Sequence, residues 1–258
     1  MTQASTTWAD VEYAKAREPI MARQRPDQAD MVEKILVELH RYYHQHSDLL
    51  QDFERFNDNI KRMNIACFET LAAEDKGLTD TLIELAKKTE PVVLPDNSFA
   101  FFGLTSTGKS SILNGILRKQ VAETGYGETT TEIRPYYGTN FFIWDIPGKN
   151  DEVSYMTISS ISFWKGLKER LIVIESTLKE NCSMMKLMDA IGLHYDIVVN
   201  KFDIINPEQQ QKLRQKIQDE IVALGLKRVD HVFFISAHYP DKFPDWEKMV
   251  NYLTNLSK

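Results

Sequence analysis

Cysteine, long apolar runs and targeting signals are scarce in this sequence. The 258 residues include two cysteines, Cys67 and Cys182, both in apolar, helix-like stretches. This excludes a disulfide-built scaffold and favours a reducing compartment. No apolar run approaches the roughly 18 residues that a membrane-spanning helix needs. The first ten residues, MTQASTTWAD, lack the pattern of a secretory signal, and Thr2 excludes the N-myristoylation motif. A cytoplasmic protein is therefore expected.

Positive charge is also in short supply. The chain has 31 Lys and Arg against 37 Asp and Glu, a net charge of −6, and no basic run. Because proteins that bind DNA or RNA neutralise phosphates with clustered basic side chains, no nucleic-acid partner is expected. The deficit lies in residues 1–96, which hold 12 basic and 18 acidic residues, whereas the remainder holds 19 of each.

Residues 1–96 carry a helical pattern after a polar start. Apolar residues recur at spacings near 3.6 through residues 27–74, and Gly77 is expected to break this pattern before a third helix. Helices with one apolar face must bury it against each other or against a neighbouring domain. The sequence therefore predicts an N-terminal helical region over residues 1–96.

From residue 97 onward, short β-branched or aromatic runs alternate with helical stretches. Such alternation predicts an α/β fold, a mostly parallel sheet flanked by helices, over residues 97–258. The predicted strands are Phe99–Phe102, Ile133–Tyr137, Phe141–Asp145, Leu171–Glu175, Asp196–Asn200 and Val232–Ser236. Helices are predicted over residues 109–120, 153–168, 179–193, 207–224 and 244–256.

A glycine-bounded loop follows the first predicted strand and matches the phosphate-binding pattern G-x-x-x-x-G-K-[ST]. Glycines let a backbone approach an anion closely, and the following helix offers the positive end of its dipole. Lys109 is predicted to reach the β- and γ-phosphates, and the Ser110 hydroxyl to bind Mg²⁺. The candidate phosphate-binding residues are Gly103, Thr105, Ser106, Thr107, Gly108, Lys109, Ser110 and Ser111. The alternative is a plain strand-turn-helix.

A second motif, Asn200-Lys201-Phe202-Asp203, follows an apolar strand and fits the N-K-x-D element that selects guanine. The Asp203 carboxylate can accept from guanine N1–H and from the exocyclic amine, which adenine lacks in that position. Selection by such hydrogen bonds reaches about 10⁴-fold. Lys201 can cover the base plane and Asn200 can brace the loop. A solvated turn is the alternative reading. Ser236-Ala237 suits the weaker S-A element, whose backbone contacts guanine.

Two further elements concern the metal and the γ-phosphate. Asp145-Ile-Pro-Gly148 fits D-x-x-G at a strand end, with Asp145 holding Mg²⁺ and the Gly148 N–H near the γ-phosphate. The segment GYGETTTEIRPYY supplies threonines that can close over Mg²⁺. We select Thr130 and Thr131, although a polar loop is an equally simple reading.

These five elements, in this order, resemble the TRAFAC class of P-loop GTPases over about residues 97–257. The stretch TTTEIRPYYGTNFFIWDIPG resembles the immunity-related, dynamin-like GTPases, which carry a Thr, then Pro-Tyr, then a W-D-x-P-G strand end. The resemblance implies GTP and GDP as ligands, Mg²⁺ as cofactor, and self-association through the GTP-binding domain. It also implies a membrane surface or a protein as a further partner.

The sequence departs from that family in two ways. The chain ends one helix after Ser236-Ala237, so the family's further C-terminal helical domain is expected to be missing, and the N-terminal glycine used for lipidation is absent. Both departures count against membrane remodelling. Lys109-Ser110 is the ordinary form of the loop, so the hydrolysing, effector-like branch is expected.

The sequence leaves open which residue orients the water molecule that attacks the γ-phosphate. Residues 146–160 contain no glutamine, the residue that Ras-type enzymes use, and Lys149 follows Gly148. One hypothesis is hydrolysis of GTP stimulated by self-assembly, in which a second copy completes the site. The other is a slow guanine-nucleotide-dependent interaction module that docks a partner through its helical N-terminus.

Overall fold

A computed structural model describes residues 47–120, 122, 134–146 and 155–254, together with Val37 and Arg41. Within this part the chain forms a helical region followed by a helix-flanked sheet. The helical region contains α1 (Ser47–Arg62), α2 (Phe68–Glu74) and α3 (Lys76–Lys88).

The break between α2 and α3 lies at Asp75, not at Gly77. Asp75 ends α2 and begins α3, because its carboxylate accepts a hydrogen bond of 2.8 Å from the Leu78 N–H. Gly77 lies inside α3, so the predicted break at this glycine is wrong by two residues. An aspartate N-cap satisfies a backbone donor that would otherwise lack a partner, and this outweighs the modest helix penalty of one glycine.

The sheet has six strands in the order β2-β3-β1-β4-β5-β6. All neighbouring pairs are parallel except β2 with β3, which is antiparallel. This confirms the predicted α/β class with a mostly parallel sheet. The strands are β1 (Ser98–Phe102), β2 (Arg134–Tyr137), β3 (Phe142–Asp145), β4 (Glu169–Ile174), β5 (Tyr195–Val199) and β6 (Val229–Phe234).

Helices cover both faces of the sheet, as buried parallel strands require. Side chains alternate along β1, so that Phe99 and Phe101 face one layer while Ala100 and Phe102 face the other. The first layer is covered by α4 (Lys109–Leu117) and α8 (Pro244–Thr254). The second is covered by α5 (Ile158–Gly166), α6 (Cys182–Ile191) and α7 (Pro207–Leu224).

Several predicted boundaries shift by a few residues. The helix predicted to reach residue 120 ends at Leu117, because Arg118 adopts a left-handed conformation with φ 51°. The strand predicted at Val232–Ser236 begins earlier, at Val229, and ends at Phe234. The helix predicted over residues 207–224 has the predicted ends, with Pro207 in its first turn and Gly225 at its C-cap.

The helical region is attached to the sheet domain by both apolar and polar contacts. Residues of α1 to α3 share one hydrophobic cluster with α5, α6 and the sheet. The Ser183 hydroxyl of α6 accepts from the Phe68 N–H at 2.6 Å, and Lys186 pairs with Glu69 at 2.6 Å. The domain boundary predicted at residue 96 stays a prediction. None of the described helices combines the length and the apolar character needed to span a bilayer.

Candidate functional site

The loop from β1 to α4 needs glycine at both ends. Gly103 has φ 134°, and a Cβ at this position lies 2.2 Å from the Val173 carbonyl oxygen. Gly108 has φ 90°, and a Cβ there lies 2.3 Å from the Asn200 side-chain nitrogen. Both positions combine a left-handed backbone with a close neighbour, so any other residue strains the loop.

Between the glycines the loop forms a tight turn that leads into α4. Ser106 has φ 66°, and the Thr107 hydroxyl donates to the Leu104 carbonyl at 3.0 Å. Gly108 is the N-cap of α4 and supplies no side-chain acceptor to the first turn. The N–H groups of that turn are therefore available to an anion at the positive end of the helix. Thr105 and Ser111, the remaining predicted phosphate residues, flank this turn on either side and are half-buried.

Lys109 is buried at the centre of this loop. Its ammonium donates to the carbonyl oxygens of Gly103 at 3.0 Å and Leu104 at 2.8 Å. Burial lowers the pKa of Lys109 to about 8, and the negative charge of Asp145 opposes that shift. A phosphate group in the loop supplies more negative charge and stabilises the ammonium form.

Ser110 and Asp145 come together at the edge of the loop. The Ser110 hydroxyl donates to Asp145 Oδ2 at 3.2 Å. Asp145 is buried at the end of β3, opposite Phe101 in the neighbouring strand β1. A hydroxyl and a carboxylate are hard oxygen donors that suit Mg²⁺, which takes its other ligands from phosphates and water. No three or more His, Cys, Asp or Glu residues cluster as metal ligands within the described ranges.

Asn200 joins three loops. This residue is buried at the end of β5, and its side-chain nitrogen donates to the Thr107 carbonyl at 2.9 Å. Its side-chain oxygen accepts from the Ala237 N–H at 3.0 Å. The predicted phosphate loop, N-K-x-D loop and S-A loop are thus connected through a single amide, which sets the distance between phosphate and base subsites.

The rest of the predicted base site surrounds Asn200. Lys201 adopts a left-handed conformation with φ 57°, and its ammonium pairs with Glu175. Asp203 lies in the short turn Phe202–Ile204 and is half-buried. Ser236 is fully buried, and its hydroxyl accepts from the N–H groups of the two residues that follow Ala237 at 3.2 and 3.0 Å.

This arrangement agrees with a match at family level. Residues 98–224 match the model of the family described as 50S ribosome-binding GTPase. These residues form a GTP-binding domain of the P-loop GTPase class. GTP, GDP and Mg²⁺ as ligands, and a GTPase as the enzyme class, are therefore confirmed. The loop between Gly103 and Gly108 suits a bound phosphate, and the Ser110–Asp145 pair suits Mg²⁺.

Curated relatives of this GTPase domain include two bacterial proteins. A probable GTP-binding protein EngB of Mycoplasma genitalium is 26% identical over 123 residues, which are 43% of this chain and 64% of EngB. GTPase Der of Buchnera aphidicola is 26% identical over 155 residues, which are 54% of this chain and 34% of Der. The chain thus spans less than two thirds of the length of either relative.

Among solved structures, the chain is similar to Era in complex with MgGDPNP and a 16S ribosomal RNA segment. The identity is 18%, the TM-score is 0.45, and the match covers 61% of this chain and 55% of Era. The RNA complex is a property of Era. That this protein has no nucleic-acid partner stays a prediction, which rests only on the charge of the chain. The family description, which names ribosome binding, does not agree cleanly with that prediction.

The comparisons support the broad GTPase class and not the narrower resemblance. They name EngB and Der, so the immunity-related and dynamin-like assignment has no support from them. The structure brings together Lys109, Ser110, Asp145 and Asn200, as the motifs predict. The predicted residues Thr130, Thr131 and Gly148 lie outside the described residues.

Two residues of the site, and one residue outside it that holds the helical region, belong to no motif and were missed in the sequence. Glu175 pairs with Lys201, and Gln210 donates to two carbonyls of the turn that carries Asp203. Lys165 of α5 donates to the end of α3. No spacing rule marks these side chains, because each acts from a neighbouring helix or strand end.

Proposed function

We propose that this protein is a guanine-nucleotide-selective GTPase whose hydrolysis of GTP to GDP is stimulated when two copies associate. The observation that carries guanine selectivity is the Asn200 amide, which bonds to Thr107 in the phosphate loop and to Ala237 in the S-A loop. The Asp203 carboxylate, in the turn that follows Asn200, is the group expected to bind the base. Within the described residues, Asp203 makes no hydrogen bond or ion pair.

The chain's own residues divide the work in the following way. The Lys109 ammonium and the N–H groups at the start of α4 bind and orient phosphate oxygens, and Ser110 with Asp145 would hold Mg²⁺. Bound Mg²⁺ supplies charge neutralisation at the phosphates. Catalysis of phosphoryl transfer depends on such positioning and charge stabilisation rather than on a covalent step.

The assembly step is supported by the sequence around Asp145. Residues 146–160 contain no glutamine to orient the attacking water. The resemblance to self-assembling GTPases makes a second copy of this chain the expected partner that completes the site. Such a protein is expected in the cytoplasm, with a membrane surface or another protein as a further partner.

The test is GTP and ATP hydrolysis by the full chain over a range of protein concentrations, with Lys109→Ala as control. We expect GTP turnover per molecule to rise with concentration, ATP turnover to be negligible and the control to be inactive. Equal turnover of GTP and ATP contradicts guanine selectivity. Flat GTP turnover contradicts the assembly step and leaves the selectivity intact.

A second function, a nucleotide-gated interaction module, is favoured by the contacts of α5. This helix follows Asp145 and Gly148 in the chain, and its Lys165 donates to the carbonyls of Ala86 and Thr89 at 2.6 Å each. The Val92 N–H also donates to the Ser162 carbonyl at 3.1 Å. A nucleotide-dependent shift of α5 therefore has a direct route to the helical region.

The two functions are separated by hydrogen exchange in α3 with GDP and with a non-hydrolysable GTP analogue. The module predicts a difference between the two nucleotides in residues 76–92, together with low turnover that does not change with concentration. Lys165→Met should reduce that difference, whereas Lys168→Met, at the next lysine along the chain, should leave it unchanged. Identical exchange with both nucleotides contradicts the module.

A further inference from the structure

The turn that carries Asp203 is held from outside by α7. Gln210 lies in the first turns of this helix, and its side-chain amide donates to the Phe202 carbonyl at 2.9 Å and to the Ile205 carbonyl at 3.2 Å. These two carbonyls lie on either side of Asp203 in the chain. One amide group therefore closes the turn across the residue that is expected to read the base.

The Asp203 side chain has no comparable support of its own. In the described part of the chain no hydrogen bond or ion pair fixes its carboxylate. The region that the carboxylate can reach is therefore set by the backbone of the turn, which fixes the position of the Asp203 Cβ. The remaining backbone restraints on that turn are the Phe202 N–H to the Ile235 carbonyl at 3.0 Å and the Ile204 N–H to the Lys201 carbonyl at 3.2 Å.

Arg214 supports the same turn from one helical turn further along α7. Its guanidinium carbon lies 4.9 Å from the ring centre of Phe202 and 4.1 Å from that of Phe234. Its guanidinium is also 3.6 Å from Asp245 Oδ2. Residues at i and i+4 lie on one face of a helix, so Gln210 and Arg214 contact the turn together.

The first turn of α7 is itself held in place, and this fixes the position from which the Gln210 side chain extends to the turn. Asn206 accepts from the Gln209 N–H at 2.9 Å and Gln209 returns a bond to the Asn206 N–H, which forms a capping box. Pro207 occupies the first turn. A capping box with proline in the first turn gives a helix start with little freedom.

We propose that Gln210 is a positioning residue for guanine selectivity: by bonding to the carbonyls of Phe202 and Ile205, it aims the Asp203 carboxylate at the guanine edge. This inference rests on the proposed guanine selectivity of the site. Arg214 acts in the same direction by holding the Phe202 ring. Gln210 itself contacts no nucleotide in this role.

The test compares the affinities of GDP and IDP for Gln210→Met and for the unchanged protein. Methionine keeps the length of the side chain and removes both donated hydrogen bonds. Hypoxanthine keeps N1–H but lacks the exocyclic amine, so a carboxylate that is well aimed gains more from guanine than from hypoxanthine. We expect the GDP affinity to fall about 10-fold and the GDP-to-IDP ratio to shrink about 3- to 10-fold, since the second hydrogen bond is the one lost.

Gln211→Met is the matched control, because Gln211 is the next residue of the same type and is exposed on the same helix. It should change neither affinity. If Gln210→Met leaves the ratio of GDP to IDP affinity unchanged, the proposal is overturned. This holds whether both affinities fall equally, which indicates general destabilisation, or neither falls. Where Gln210→Met does not fold, Arg214→Met decides: a reduced ratio supports the proposal, and an unchanged ratio overturns it.

The proposed function is checked separately with the unchanged protein. A preference for GDP over ADP of at least about 100-fold establishes guanine selectivity. Without that preference the proposed function fails whatever Gln210 does. With it, only the GDP-to-IDP ratio of the variants bears on the positioning role.

Discussion

The two ends of the parallel sheet both carry polar side chains, but these side chains find different partners. At the carboxyl ends of the strands, Lys109 and Asn200 bond to backbone carbonyls, and the start of α4 has no side-chain cap. At the amino ends, two histidines bond to carboxylates: His231 to Asp196 at 2.9 Å and His194 to Asp230 at 2.8 Å.

We call the two ends the carboxyl edge and the amino edge of the sheet. The carboxyl edge has groups that can bind a ligand, whereas the polar groups of the amino edge bond mainly within the protein. Donors and acceptors that neighbours leave unused are available to a ligand, and at the carboxyl ends Asp203 and the α4 N-terminus are such groups in the proposed nucleotide subsites. At the amino ends the histidine and aspartate side chains bond to one another, and Asp196 Oδ2 is a buried oxygen without a hydrogen-bond partner among the described residues. Changes at the first edge should alter nucleotide binding, and changes at the second should alter stability.

The largest expected effect is a change of base selectivity with Asp203→Asn. An asparagine can donate to the second carbonyl of xanthine but no longer accepts both hydrogen bonds from guanine. We expect GTP affinity to fall about 100-fold or more and XTP affinity to rise. Measured dissociation constants for GTP and XTP check this. Unfolding should be unaffected at this half-buried position, and equal loss of both nucleotides counts against the assigned role.

The next effect is a loss of nucleotide binding with Asn200→Ala. The change leaves the Thr107 carbonyl and the Ala237 N–H without their side-chain partner, at a cost of about 1–3 kcal/mol for each buried group. We expect GDP affinity to fall about 10- to 100-fold, because the phosphate and base loops lose their common anchor. Calorimetric titration measures it. Unchanged affinity with a lowered melting temperature contradicts the coupling of the two loops.

The carboxyl edge could be predicted from sequence because its chemistry is local. Gly108, Lys109 and Ser110 lie side by side in the chain, and Asn200 and Asp203 lie in one turn after an apolar strand. The supporting residues could not be predicted in this way. Gln209, Gln210 and Gln211 are identical neighbours, yet the first closes a capping box, the second bonds to the turn of Asp203 and the third is exposed.

The amino edge gave no signal in the sequence for a related reason. Its partners come from β4, β5, β6 and α8, with no two of them in a recognisable motif. The separate parts of the α/β fold were visible in the hydrophobic pattern, but the pairing of Asp196 with His231 follows from strand order and register. That order depends on the whole set of crossover connections, which spacing within one element does not encode.

A pH-dependent gain of stability is expected with Asp196→Asn at the amino edge. Burial raises the pKa of Asp196 to about 6, while the hydrogen bond from His231 lowers it and Glu169 and Asp230 raise it further. Because the folded-state pKa lies above the unfolded value, the contribution of the protonated form is present below pH 4 and is lost as the pH rises through 6. Asparagine mimics the protonated form.

Urea unfolding at pH 5 and at pH 8 measures this effect. Asp196→Asn should be more stable than the unchanged protein by about 1–2 kcal/mol at pH 8 and by a smaller amount at pH 5. GDP affinity should not change, since the nucleotide subsites lie at the other end of the strands. Lower stability of the variant at both values means that the charged Asp196–His231 pair stabilises the fold.

The smallest effect is expected from Tyr252→Phe in α8. The Tyr252 hydroxyl bonds to Glu169, and Glu169 has a pKa raised by burial and lowered in part by this bond. Removing the hydroxyl leaves the Glu169 carboxylate less well solvated, so we expect a loss of about 0.5–1.5 kcal/mol at pH 8 and a smaller loss at lower pH, as Glu169 becomes protonated. Unfolding curves at pH 5 and 8 and a GDP titration check it. Because the ring remains and only a hydroxyl at the amino edge is removed, a weakened GDP affinity would show that the two ends of the sheet are coupled rather than independent.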